Sequence, residues 1–220
     1  MSPDNNRLGS APLGKLLFEL ALPTVFAQIV NLLYNMVDRI YVGRIPEAGP
    51  LALAGLGVAF PIIILISAFA SLVGMGGAPR AAILMGKKDN DGAEEVLGNS
   101  VFFLFLLSIV LCAVFYFTKD PILMLFGASS QTLPYASQYL GIYLAGTLSV
   151  QIALGLNQFI SCQGFAKTSM MTVLIGAVLN IILDPIFIYV LNMGVAGAAL
   201  ATIISQTVSA VWVLAFLCSG

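Results

Sequence analysis

The chain has 220 residues, 60% of them hydrophobic and 9% charged, with a mean hydropathy of +1.01. Soluble domains carry about 25% charged residues, so a surface facing water is excluded. Nine Lys plus Arg against ten Asp plus Glu exclude the basic face that a nucleic acid requires, and the absence of histidine removes the usual general base and the commonest metal ligand.

A helix needs about 20 mostly apolar residues to cross a bilayer, and the charge-free windows are read on that scale. Eighteen such residues between Glu19 and Asp38 predict a first span over 14–42. Thirty-two from Ala48 to Pro79 predict a second over 51–76 with a loop attached. Twenty-three from Val96 to Thr118 form the third, 96–118. The forty-six from Pro121 to Ala166 are broken early by Gly127-Ala128-Ser129-Ser130-Gln131-Thr132 and Pro134, which leaves one helix, 134–162. The remainder divides at Asn192-Met193-Gly194 into spans over 168–191 and 195–218. The fold expected is an all-α, polytopic membrane protein: one domain over 1–220, with six transmembrane helices.

An even number of spans puts both termini on one side. With the amino terminus inside, the inner segments hold six basic residues (Arg7, Lys15, Arg80, Lys87, Lys88, Lys167) and the outer loops three (Arg39, Arg44, Lys119). The positive-inside rule then puts the amino terminus and the polar loop Arg80–Glu95 in the cytoplasm. The first eight residues lack the pattern of a cleavable signal, so the first span is expected to stay as an anchor in the cell membrane. Cys112, Cys162 and Cys218 stand singly in apolar stretches and read as small buried hydrophobes.

Pro23, Pro61 and Pro185 fall inside spans, where a proline removes one backbone hydrogen bond and kinks the helix. Membrane helices tolerate this, and Pro61 reads as ordinary. Pro23 and Pro185 stand beside polar residues and read as hinge candidates.

The first span carries Gln28, Asn31, Asn35 and Asp38, at offsets 0, 3, 7 and 10, one stripe of a helix. Such groups face a bundle interior or a water-filled cavity, or join helices by hydrogen bonds. Asp38 has a second reading as an interfacial partner of Arg39. The fifth span carries Asn180 and Asp184 on one face, and the nearest cation in sequence, Lys167, is seventeen residues from Asp184. A carboxyl group taken out of water keeps its proton or takes a cation.

Folding spans five and six as a hairpin about Met193 brings Asp184 level with Thr202 and Asn180 level with Gln206. Gly194, Gly197, Ala198 and Ala201 let the two helices approach. Asp38 and Asp184 then lie at similar depth, and two carboxylates with several amide oxygens suit a shared proton or a small hard cation. The fourth span adds Gln151, Asn157, Gln158 and Gln163, with Asn157 a candidate for the same cavity. Phe26, Tyr34, Met36, Phe60, Met170 and Met171 read mostly as packing or lipid-facing residues, a few of them suited to lining a plastic apolar cavity.

At these residues the sequence resembles the multidrug and toxic compound extrusion (MATE) family, in the bacterial branch related to DNA-damage-inducible transporters. The matching stretches are Ala21-Leu22-Pro23 through Asn31, Asp38 and Gly43; Ala54-Gly55-Leu56-Gly57 with Pro61; Gly76-Gly77 through Gly86; and Asn180-Ile181-Ile182-Leu183-Asp184-Pro185 continuing through Gly194 to Thr202. The resemblance implies an antiporter, driven by protons or sodium ions, that exports amphipathic, often cationic, compounds and needs no cofactor.

Carried over by motif, the coupling site is Asp38, Asn180, Asp184 and Thr202, with sodium, where it is the ion, at Asp38, Asn180 and Asp184. Gln28, Asn31, Asn35, Asn157 and Gln206 are the substrate-cavity candidates. Family members bend the first helix at the proline that Pro23 matches. The family has twelve spans in two lobes, so the six spans here correspond to the amino-terminal lobe, with a second six-helix lobe as the expected partner. Two other functions fit the same composition: a truncated module that only folds or associates, and a relative that flips lipid-linked precursors. The latter calls for basic residues along the cavity. No nucleophile elbow or metal motif is present, and an enzyme is not expected.

Overall fold

A computed structural model describes residues 12–219. The first eight residues and Arg7, used above for the anchor and the charge count, lie outside the described residues. The helices are α1 (Leu13–Gly43), α2 (Gly49–Gly86), α3 (Asn90–Leu125), α4 (Leu133–Ala145), α5 (Thr147–Cys162), α6 (Ala166–Pro185) and α7 (Val195–Cys218), with a π-helical turn, Ile186–Val190, closing α6. No strand occurs among the described residues. Five segments are long and apolar enough to cross a membrane, and α4 with α5 supply a sixth as a bent pair.

The spans predicted at 14–42 and 195–218 coincide with α1 and α7 to within a residue. Three expectations need correction. The loop Arg80–Glu95 shrinks to a three-residue link, 87–89, because α2 continues through Pro79 to Gly86 and α3 begins at Asn90. Two local devices close that link. Lys88 takes a positive φ of 63°, and the Asp89 carboxylate accepts the Gly92 N–H at 3.0 Å as the amino-terminal cap of α3. Charged residues that hydropathy reads as loop are therefore helix ends.

The fourth span, expected to be a single helix over 134–162, is broken at Gly146 with a bend of 62°. A side chain at position 146 would put its Cβ 2.6 Å from Cγ1 of Ile203, so α7 presses on bare backbone there. The Thr147 hydroxyl donates to the Leu144 carbonyl at 2.8 Å, filling an acceptor freed by the break. The fifth span does not run to 191 as an α-helix. Pro185 supplies no N–H, and the chain closes instead with the Leu191 N–H on the Ile186 carbonyl at 2.9 Å, the i to i−5 pattern of a π turn.

Packing centres on α2 and α5, which cross at two glycines: a Cβ on Gly74 would stand 2.5 Å from the Gly155 carbonyl oxygen. In a bilayer, close backbone approach is the main source of helix–helix attraction. Buried side chains gather in two clusters. One, around Leu56, Ile62, Leu140 and Ile188, occupies the end of the bundle near the α6–α7 hairpin. The other, around Leu104, Leu156, Phe159 and Val213, occupies the opposite end. Helix α1 packs chiefly on α6 and shows Leu22, Phe26, Ile29 and Leu33 outward.

Candidate functional site

The 3.6-residue period places Thr172, Gly176, Asn180 and Asp184 on one face of α6, and all four are buried. The stripe Gln28, Asn31, Asn35 and Asp38 runs along α1, which lies against α6. Asp184 is 0% exposed, Asn180 1% and Asp38 9%. Asp38 and Asp184 are electrostatic neighbours across the contact between α1 and α6. The Asn180 amide donates to the Asp184 carboxylate at 3.3 Å and reaches the Thr202 hydroxyl at 3.5 Å. That hydroxyl donates to the Ala198 carbonyl at 3.0 Å. On α1, the Asn35 amide donates to the Asn31 carbonyl at 2.7 Å.

Three oxygens in this group have no donor: Oδ1 of Asp38, Oδ1 of Asn180 and Oδ2 of Asp184. A buried acceptor left unpaired costs about 1–3 kcal/mol, and these three lie on two packed helices, α1 and α6. The donor set is two carboxylates, an amide and a hydroxyl, which suits a hard cation with oxygen ligands. Among the described residues no group of three or more His, Cys, Asp or Glu assembles a further metal centre. Arg39 does not pair with Asp38. Its guanidinium lies over the Phe60 ring, 4.5 Å from the centroid.

A cavity of about 700 Å³ opens beside these carboxyl groups. Gln28, Asn31, Asn35, Asn157 and Gln206 all line it, together with Asp38, Asn180 and Thr202; Asp184 sits behind its wall. Asn157 is anchored by its amide, which donates to the Ser169 carbonyl at 3.2 Å, while its own Oδ1 is buried without a donor. Gln151 has no share in the cavity and instead joins α5 to α2 by donating to the Ile66 carbonyl at 2.9 Å.

The hairpin register differs from the equal-depth expectation by one turn: Asn180, not Asp184, meets Thr202. The sequence reading also missed Tyr139 and Tyr143, whose rings stack 6.2 Å apart on the cavity wall. They share an i, i+4 face of α4, but that face becomes a wall only through the bend at Gly146. Tyr34, read as packing or lipid-facing, lines the cavity as well, and its place in the stripe between Asn31 and Asp38 was the available signal.

A bundle of apolar helices around a polar cavity, with carboxyl groups buried at one end, is the architecture of a membrane transporter. The chain belongs to the MATE family: the MatE family model matches residues 23–186. It is 28% identical over 92% of its length to the multidrug export protein MepA of Staphylococcus haemolyticus (strain JCSC1435), covering 44% of that protein. It is 27% identical over 99% of its length to an FAD transporter of Shewanella oneidensis, covering 47% of it. A solved structure described as the outward-facing conformation of a multidrug resistance MATE family transporter of the MOP superfamily superimposes with a TM-score of 0.90 at 29% identity, over 99% of this chain and 48% of that one. The chain thus spans about half the length of the relatives it matches.

Proposed function

We propose that these six spans act as the amino-terminal lobe of a cation-coupled antiporter that exports amphipathic, often cationic, compounds. Asp38, Asn180, Asp184 and Thr202 hold the coupling ion, a proton or sodium, and Gln28, Asn31, Asn35, Asn157 and Gln206 line the substrate path. A second six-helix lobe closes that path from the other side. Pro23 and Pro185 are the hinges, and no cofactor takes part.

The reading is supported by three buried oxygens without donors, on Asp38 of α1 and on Asn180 and Asp184 of the α6 face packed near it. Loading that place with a cation satisfies all three, so ion occupancy changes how tightly α1 is held to α6. Substrate charge follows from the wall. Of the residues lining the cavity, Arg39 alone is basic, and it is engaged by Phe60. A lipid-linked precursor or a dinucleotide needs several cations for its phosphates, so an organic cation is the better fit.

In vesicles carrying the intact protein, efflux of a lipophilic cation should follow one imposed gradient, proton or sodium, and stop when that gradient is collapsed. Efflux indifferent to both gradients would remove the coupling reading.

The cell membrane is the proposed location, with the amino terminus in the cytoplasm. Asn90 is exposed at the start of α3, so an Asn90→Cys variant should resist an impermeant thiol reagent in intact cells and react after permeabilisation. Labelling from outside would reverse the orientation.

A further inference from the structure

We propose that Tyr189 is a positioning residue: from the π turn it latches the Gly43 end of α1 and so holds the Asp38 carboxyl against Asp184. The proposal rests on the reading of those carboxyl groups as the coupling site.

The Tyr189 hydroxyl donates to the Tyr41 carbonyl at 2.6 Å, and the two rings meet edge to face with centroids 6.3 Å apart. Tyr41 lies in the last turn of α1, where carbonyls have no partner further along the helix; its oxygen also accepts the Arg44 N–H at 3.1 Å. Asp38 precedes Tyr41 by three residues and Asp184 precedes Tyr189 by five. The latch and the carboxyl pair are therefore neighbouring contacts between the same two segments. Leaving Glu19 aside, the hydrogen bond that another element makes to α1 among the described residues is the one from the Tyr189 hydroxyl to the Tyr41 carbonyl, one turn from Asp38.

A latch needs a fixed arm, and the π turn is one. Gly197 of α7 lies so close that a Cβ there would stand 2.7 Å from the Phe187 carbonyl carbon and oxygen. The Met193 N–H donates to that same Phe187 oxygen at 3.0 Å, and Ile188 is 3% exposed in the core. Pro185, by imposing the π turn, sets the direction in which Tyr189 leaves the helix. The hydroxyl then fixes the end of an otherwise loosely held helix within one turn of a carboxyl whose position determines whether a cation finds all its ligands.

Tyr189→Phe keeps the ring contact and removes the hydrogen bond. In the intact protein reconstituted in vesicles, the half-saturating concentration of the coupling ion should rise about fivefold to tenfold, the worth of one net hydrogen bond, while the maximal efflux rate stays within about a factor of two. Amide hydrogen exchange over residues 39–45 should rise severalfold, with residues 176–184 unchanged. Tyr189→Leu, lacking ring and hydroxyl, should shift both readouts at least as far. An unchanged half-saturation, or a fall in maximal rate alone, overturns the positioning role, and unchanged exchange overturns the latch. Asp184→Asn assayed alongside separates the two readings: if it leaves coupling intact, the coupling-site reading fails and the latch is judged on exchange alone.

Discussion

Replacing Asp184 by Asn should reduce gradient-driven efflux by the intact transporter to the rate seen with no gradient imposed. Asp184 is wholly buried, its Oδ1 accepts from Asn180 at 3.3 Å, and its Oδ2 has no donor. An asparagine keeps the shape and the acceptor for Asn180 but cannot ionise, so it neither takes up a proton nor supplies a charge to sodium. The fold should survive, because the change removes an unpartnered buried charge rather than a satisfied one. The detergent-solubilised variant should show an equal or higher Tm. Efflux at the unmutated rate under an imposed gradient would make this carboxylate structural.

The second large effect is expected at Pro23. Helix α1 runs without a break through this buried proline, and the next residue adds to the local weakness: the Thr24 hydroxyl bonds the Leu20 carbonyl at 3.0 Å, a pattern that bends helices. Pro23→Ala restores an N–H and removes the ring. Proline is about 3 kcal/mol less favourable than alanine in a helix interior, so the substitution stiffens α1 at this point. Drug resistance should fall sharply while the amount of protein in the membrane stays normal. Full resistance would mean that α1 does not need to bend there.

Much of this was legible because hydrocarbon imposes simple rules. Charge-free windows located the six spans, and the 3.6-residue period placed Gln28, Asn31, Asn35 and Asp38 on one stripe and Asn180 with Asp184 on another. What escaped depends on contacts between distant segments. Gly146-Thr147 inside an apolar run carries no local signal for a 62° bend, while the contact that needs a glycine there, Ile203, comes from another helix. Tyr139 and Tyr143 become cavity walls only through that bend. Pro185 announced an interruption but not its form, the π turn Ile186–Val190. Arg80 and Glu95 read as loop but lie in helices, because hydropathy cannot distinguish a helix leaving the membrane from a chain that has stopped being helical.

The shallow seating of α1 has an energetic meaning. In its apolar window 6% of residues are buried, against 22–28% in the other single-helix spans, so most of its large side chains are not packed within this bundle. Lipid tails are as apolar as leucine, so where exposed side chains such as Leu22, Phe26 and Leu33 meet lipid, sliding from one lipid neighbour to the next costs almost nothing. The bilayer acts as a bearing for this helix. The work of moving it is confined to the few contacts near Asp38 and Tyr41, a load on the scale of the ~2.3 kcal/mol that one elementary charge delivers across 100 mV.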